Sequence, residues 1–197
     1  VRLKGGFDAS RMSYQAGLSV KDLQLHHFLP KDSLYDLSLT AKAEGRGFDP
    51  FSRQTRMNAD LKLDRLQYGQ LHLDNINLNA ALKQGNGHAM LDSHNPLLNM
   101  TSRIDALLAR KKADMTFSID LRSIDLHALH LTDKPFKAGM CLHADGSTNL
   151  KNAHTVHGTI SDIHLILKDT LFHPKDLAMN VLALPDTTYA DISAGDF

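Results

Sequence analysis

Twelve histidines, one cysteine and twenty-two acidic side chains are the chain's candidates for chemistry. Two pairs have His-x-x-His spacing: His127 with His130, and His154 with His157. A metal needs convergent nitrogens, and a step of three puts both rings on one face only in a helical turn; on a strand it sends them to opposite faces. His127 and His130 fall where such a turn is expected, yet no third ligand stands at a fitting spacing, so no metal site is expected. His26 and His27 are adjacent and cannot converge from one strand face. His72 and His143, each between apolar residues, belong to the solvated side of alternating strands. Cys141 has His143 two residues on, a spacing that shares a strand face, but a thiol between Met140 and Leu142 is in the ordinary place of a packed cysteine. No serine sits in a Gly-x-Ser-x-Gly elbow, and no two carboxylates are singled out for glycoside chemistry. Gly45-Arg46-Gly47 and Gly85-Asn86-Gly87 lack the strand-loop-helix setting of a phosphate cradle. Neither an enzyme nor a cofactor is expected.

The elements that would position these side chains are strands. Leu37, Leu39, Ala41 and Ala43 alternate with Ser38, Thr40, Lys42 and Glu44, the period of a half-buried strand. The alternation returns at Ile76, Leu78, Ala80 and Leu82, again at Met115, Phe117, Ile119 and Leu121, and more weakly at Val156, Gly158 and Ile160. A period of two gathers each apolar set on one sheet face and leaves Ser, Thr, Asn and Asp on the other. The expected shared apolar surface comprises Leu37, Leu39, Ile76, Leu78, Leu82, Met115, Phe117, Ile119, Leu121, Met140 and Leu142. A bulge near Asp74-Asn75 or Arg122-Ser123 would disturb it across strands.

Spacing adds a regularity. Positions 37, 76 and 115 are 39 apart, as are Pro96, Pro135 and Pro174, and Met140, Leu142 and Ala144 precede Met179, Val181 and Ala183 by the same step. A period in this range points to repeats that bury their apolar sides by stacking. Hairpin loops are expected at residues 44–47, 84–87, 110–112 and 145–147. Residues 21–29 and 123–129 fit either one helical turn or a bulged strand. Residues 97–108 fit helix or strand, with strand favoured by Thr101 and the surrounding sheet.

A length of 197 residues allows a sizeable core, and 22 basic against 22 acidic residues leave no electrostatic footprint for nucleic acid or an anionic membrane surface. No run approaches the roughly 18 apolar residues of a membrane-spanning helix. With Val1 first and Phe197 last, the chain reads as one fragment, residues 1–197, of a longer protein whose targeting signals lie outside it.

The run Leu61-Lys-Leu-Asp-Arg-Leu-Gln-Tyr68-Gly69, then Leu71-His-Leu-Asp-Asn-Ile-Asn-Leu-Asn-Ala-Ala-Leu82 and Gly85-Asn86-Gly87, resembles the AsmA-like family. The nearest branch is that of the TamB translocation-and-assembly-module proteins of Gram-negative envelopes. Leu29-Pro30, the turn Gly45-Arg46-Gly47-Phe48-Asp49, Ile124-Asp125-Leu126 with Leu129, and Ser193-Ala194-Gly195-Asp196-Phe197 add to the likeness, which spans most of the chain. The resemblance implies an elongated antiparallel sheet curled lengthwise into a groove lined with apolar side chains, the β-taco. It implies periplasmic transport of phospholipid acyl chains between inner and outer membranes, and a link to an outer-membrane assembly protein. The membrane anchor would lie outside these residues. No catalytic motif carries over, only the inward apolar positions.

Physical chemistry supports a non-aqueous partner for that face. At about 25 cal/mol per Å² of apolar surface, leaving some 15 such side chains wet would cost more than the ~5–15 kcal/mol net stability of a domain. The face is therefore closed on itself, covered by protein, or filled by something greasy such as acyl chains. A closed β-sandwich shows the same alternation, so a structural or adhesin-like β-repeat stays open as the alternative. An adhesin would carry aromatic and acidic clusters on its loops; Phe117 and Phe136 instead fall in core-like positions.

Overall fold

The structure, a computed structural model, describes residues 1–24, 26 and 34–195. Among them the chain forms thirteen strands and no α-helix. They are β1 (Arg2–Asp8), β2 (Ser13–Leu23), β3 (Leu34–Arg46), β4 (Arg56–Tyr68), β5 (Leu71–Lys83), β6 (Asn86–Asn95), β7 (Leu98–Ala109), β8 (Lys112–Asp125), β9 (Phe136–Thr148), β10 (His154–Leu167), β11 (Thr170–Phe172), β12 (Leu177–Leu184) and β13 (Thr187–Ala194). Each strand pairs antiparallel with the next in sequence, save that β11 and β12 both lie beside β10. The result is one elongated open sheet, not closed into a barrel, with β1 and β13 at its edges. Every described strand packs only against its sheet neighbours, so no second layer covers either face within these residues.

Residues 97–108 fall almost wholly within β7, as the Thr101 argument favoured. Of residues 21–29, Lys21 to Leu23 end β2 as a bulged strand, and Leu25 and residues 27–29 lie outside the described residues, as do Pro30, Asp196 and Phe197. Residues 123–125 likewise end β8 past a bulge, and a turn follows. Two expected loops are strand instead. Asp145-Gly146-Ser147 lies inside β9: a side chain at Gly146 would come within 2.8 Å of the Thr155 carbonyl oxygen, so this glycine serves a close strand approach and not a turn. Glu44-Gly45-Arg46 stays in β3 because Tyr14 pairs across Gly45 and stacks on Phe48, at 5.0 Å between ring centres, which moves the turn to residues 47–55.

The 39-residue step spans two strands from Leu37 to Ile76 and from Met115 to His154, so these pairs lie on strands of like direction. From Ile76 to Met115 it spans three strands, and the two residues lie on strands of opposite direction. Pro96 and Pro135 fall in the connections after β6 and β8. Pro174 separates β11 from β12, which otherwise lie in line along β10; proline has no N–H to give the ladder there.

A line of bulges crosses the sheet at one height. It interrupts the register at residues 20–23 of β2, 63–65 of β4, 121–124 of β8 and 161–164 of β10. Asp22, Asn75 and Asp162 take positive φ there, at 46°, 52° and 50°, a conformation that Asp and Asn tolerate better than most residues. The extra residue restores what alternation would lose. Across it, apolar side chains three apart stay on one face: Val20 with Leu23, Leu63 with Leu66, Leu73 with Ile76, and Leu121 with Ile124.

Candidate functional site on the apolar face

Residues paired directly across an antiparallel ladder put their side chains on the same side of the sheet. Following the register outward from Leu78, the row runs through Leu61, Ala41, Leu18 and Leu3 in one direction. In the other it runs through Leu91, Ser102, Ile119, Leu142, Ile160, Leu177 and Ala194. Along the strands, toward the bulges, the next row carries Val20, Leu39, Leu63, Ile76, Ser93, Met100, Leu121 and Met140. On the other side lies a row holding Ile104 and Phe117, and beyond it one holding Met57, Leu82 and Met115. Leu37 extends the face past the bulges, beside Leu23 and Leu66.

All eleven residues expected to share a surface therefore stand on one face. Periodicity alone missed Leu18, Leu61, Leu91 and Leu177, which complete the row through Leu78. Their signal was the shorter alternation of Leu61 with Leu63 and the i, i+3 spacing of Leu63 with Leu66, which is intelligible only with a bulge between.

Among the described residues the face bears no Asp, Glu, Lys or Arg at any in-register strand position, and its one histidine at such a position is His154 at the start of β10, held by Thr148 Oγ1 at 2.7 Å. It is dry along the bulge line, where Val20 is 7% and Leu121 9% exposed, and Ser93, fully buried, donates to the Leu98 carbonyl at 2.5 Å. Farther along the strands it opens: Ile104 is 40% and Met115 45% exposed. Neighbouring side chains shield one another sideways, and no other described strand lies over them, though at the β1–β2 end Phe48 of the turn stacks on Tyr14.

The opposite face holds the charges. Lys62 meets Asp64 at 2.6 Å, His88 meets Asp105 at 2.7 Å and Lys112 meets Asp114 at 2.9 Å, and Asn79 donates to Asp60 at 2.7 Å. These are solvent-exposed pairs of small individual worth. An open cavity of about 620 Å³ on this side is lined by His88, Asp105, Thr116, Asp145 and His157; His88 is held by Asp105, and His157 lies 2.8 Å from Asn180 Oδ1. His72 and His143 lie on this face as expected, and His154 and His157 point to opposite sides. Among the described residues no group of three or more His, Cys, Asp or Glu is placed to hold a metal ion. Cys141 faces this side too. Burial, then the charges of Asp120 and Asp162, push its thiol above the usual range, away from the thiolate a nucleophile needs.

The bulges are tied down by side chains. Asp22 N–H, displaced from the ladder, donates to Ser38 Oγ at 2.9 Å. His164 Nε2 reaches over Gly139 to lie 3.2 Å from the Arg122 carbonyl oxygen, linking the bulges of β10 and β8 across β9. These ties hold the two halves of each strand in the orientations that keep the apolar face continuous.

The fold and face together define an open, single-layer antiparallel meander with one uncharged apolar side. No family model matches the chain, and neither a curated protein nor a solved structure matches it.

Proposed function

We propose that this chain is part of an intermembrane phospholipid transport scaffold, in which the apolar face holds acyl chains while headgroups stay in water. The observation that carries the reading is the uncharged face itself, continuous across twelve strands and covered by no other described strand. An apolar surface of that extent needs a greasy partner. The motifs around Leu61 to Leu82 and Gly85-Asn86-Gly87 place the chain, in this reading, in the AsmA-like family and its TamB branch. The parent protein would then lie in the periplasm between inner and outer membranes, with a link to outer-membrane protein assembly. Its role is physical and not catalytic: moving a lipid along such a face breaks no covalent bond and calls for no cofactor.

The test inserts a charge where hydrocarbon would lie. Phe117 sits between Ile104 and Ala144 in register, and an ion there carries a desolvation cost on the order of several kcal/mol against hydrocarbon. Phe117→Arg should abolish binding of a phospholipid with a fluorescent acyl chain by the purified chain, while Ser118→Arg, on the charged face, should leave it intact. Circular dichroism establishes that both variants keep the sheet. A folded Phe117→Arg that binds as well as the parent would overturn the reading.

A further inference from the structure

The 22 basic and 22 acidic residues cancel over the whole chain, but folding does not spread them evenly. Along one margin of the sheet the strand ends meet in the turns after β3, β5 and β7. Those turns and the strand residues directly flanking them carry seven basic side chains and one acidic, Asp49. Along the opposite margin the connections after β4 and β6 hold no charged residue, those after β8 and β10 hold one of each sign, and Asp125 meets Lys137 at 3.3 Å.

The centre of the basic margin is a single row. Arg46, which ends β3, stands directly opposite Arg56, which begins β4, and Arg56 stands opposite Lys83, which ends β5. Like charges so placed repel. Among the described residues none of the three is ion-paired. Acids close by are engaged elsewhere: Glu44 accepts from Asn58 at 3.4 Å, Asp49 takes the Phe51 N–H at 3.0 Å and Asp114 holds Lys112 at 2.9 Å. Arg53 in the first turn and Arg110 with Lys111 in the third add to the positive charge. Folding thus gathers cations that an external anion would neutralise.

The class of anion follows from what lies beside the row. Met57 and Leu82, chain neighbours of Arg56 and Lys83, face the other way and belong to the apolar face. The long stems of Arg and Lys at strand ends carry their charged heads to the margin between the two faces. Hydrocarbon surface and cations therefore meet within one residue. We propose that this margin holds the phosphate groups of anionic phospholipids whose acyl chains lie on the apolar face. The inference rests on the lipid-holding reading of that face and adds to it the class of lipid and the margin at which the headgroups lie. A cationic margin attracts a phosphate diester and is short of carboxylates for a choline or ethanolamine ammonium, so lipids with a net negative charge are preferred.

The test uses the purified chain and two phospholipids with the same fluorescent acyl chain, one with a glycerol headgroup and one with choline. The parent should bind phosphatidylglycerol about tenfold more tightly than phosphatidylcholine at low salt, the size expected of three exposed charge contacts together. The gap should narrow as salt is raised. Arg46→Gln, Arg56→Gln and Lys83→Gln combined should remove the preference and leave phosphatidylcholine binding as it was. Lys134→Gln with Lys168→Gln, at the opposite margin, should keep it. Circular dichroism establishes that each variant retains the sheet. Equal binding of both lipids by the parent, or a preference that survives the triple variant, overturns the proposal and leaves the apolar face as a lipid holder. Binding of neither lipid overturns the underlying reading as well. Inorganic phosphate that displaces phosphatidylglycerol beyond chloride of equal ionic strength would assign the row to free phosphate and overturns the proposal too.

Discussion

Removing Asn75 tests how the apolar face is kept continuous. Leu71 and Leu73 pair with Tyr68 and Leu66 ahead of this residue, and Ile76, Leu78, Ala80 and Leu82 follow it on the same face. Without it β5 returns to strict alternation, and one of the two sets must turn to the charged side. Turning the later set exposes three large side chains; turning the earlier set exposes two, so the earlier set should turn. Leu71 and Leu73 are half-buried, and half of the ~1.5–3 kcal/mol for a fully buried leucine is about 1 kcal/mol each. About 2 kcal/mol is therefore lost, offset in part by relief of the φ of 52° at Asn75, which costs up to about 1 kcal/mol in a residue with a side chain. The net loss is about 1–2 kcal/mol. In urea, with a slope near 2 kcal/mol per molar, the midpoint should fall by about 0.5–1 M. Asn75→Gly is the control, since it keeps the bulge and relieves the strain, and it should leave stability unchanged or slightly raised. A deletion without effect, or a glycine variant as costly as the deletion, would refute the bulge argument.

Gly139→Ala should cost about 1–3 kcal/mol in chemical denaturation, because its Cβ would occupy the place of the His164 ring and part Nε2 from the Arg122 carbonyl; a neutral outcome would mean that this tie between bulges carries no weight. Asp125 accepts from Ala128 N–H at 2.9 Å and meets Lys137 at 3.3 Å, and the Ala128 bond first, then Lys137, holds its carboxyl below the ordinary carboxylate range. A carboxyl depressed in the folded state contributes stability that is full above about pH 5 and fades as pH falls through its folded value. Denaturation of the parent should accordingly weaken toward acid more steeply than that of Asp125→Asn over the same range, and parallel curves would contradict the assignment.

Alternation made the central strands legible in the sequence because one side of the sheet is apolar and the other charged, so Leu37 to Ala43, Ile76 to Leu82 and Met115 to Leu121 announced themselves. The bulges hid part of the face: Leu63 with Leu66, and Leu121 with Ile124, break a period of two and look like a turn of helix until the extra residue is placed. Glycine misled at Gly146 because the same lack of a side chain serves a tight turn and a close strand approach, and only the neighbouring Thr155 carbonyl tells them apart. The step of 39 marked real pairs of strands, yet direction is invisible to spacing, so the Ile76-to-Met115 interval of three strands looked like the others. Closed core and open sheet share one alternation, and it took the absence of contact between non-adjacent described strands to separate them.

The claim that the apolar face holds acyl chains is tested most directly by two adjacent residues of one strand. A photo-crosslinking amino acid at Leu78 lies on the apolar row with Leu61 and Leu91, and one at Asn77 lies on the charged face beside Lys62 and Asp92. With the purified chain mixed with phospholipid, illumination should give a phospholipid adduct from Leu78 and none from Asn77. Equal labelling of both positions, or none at either, would contradict the account.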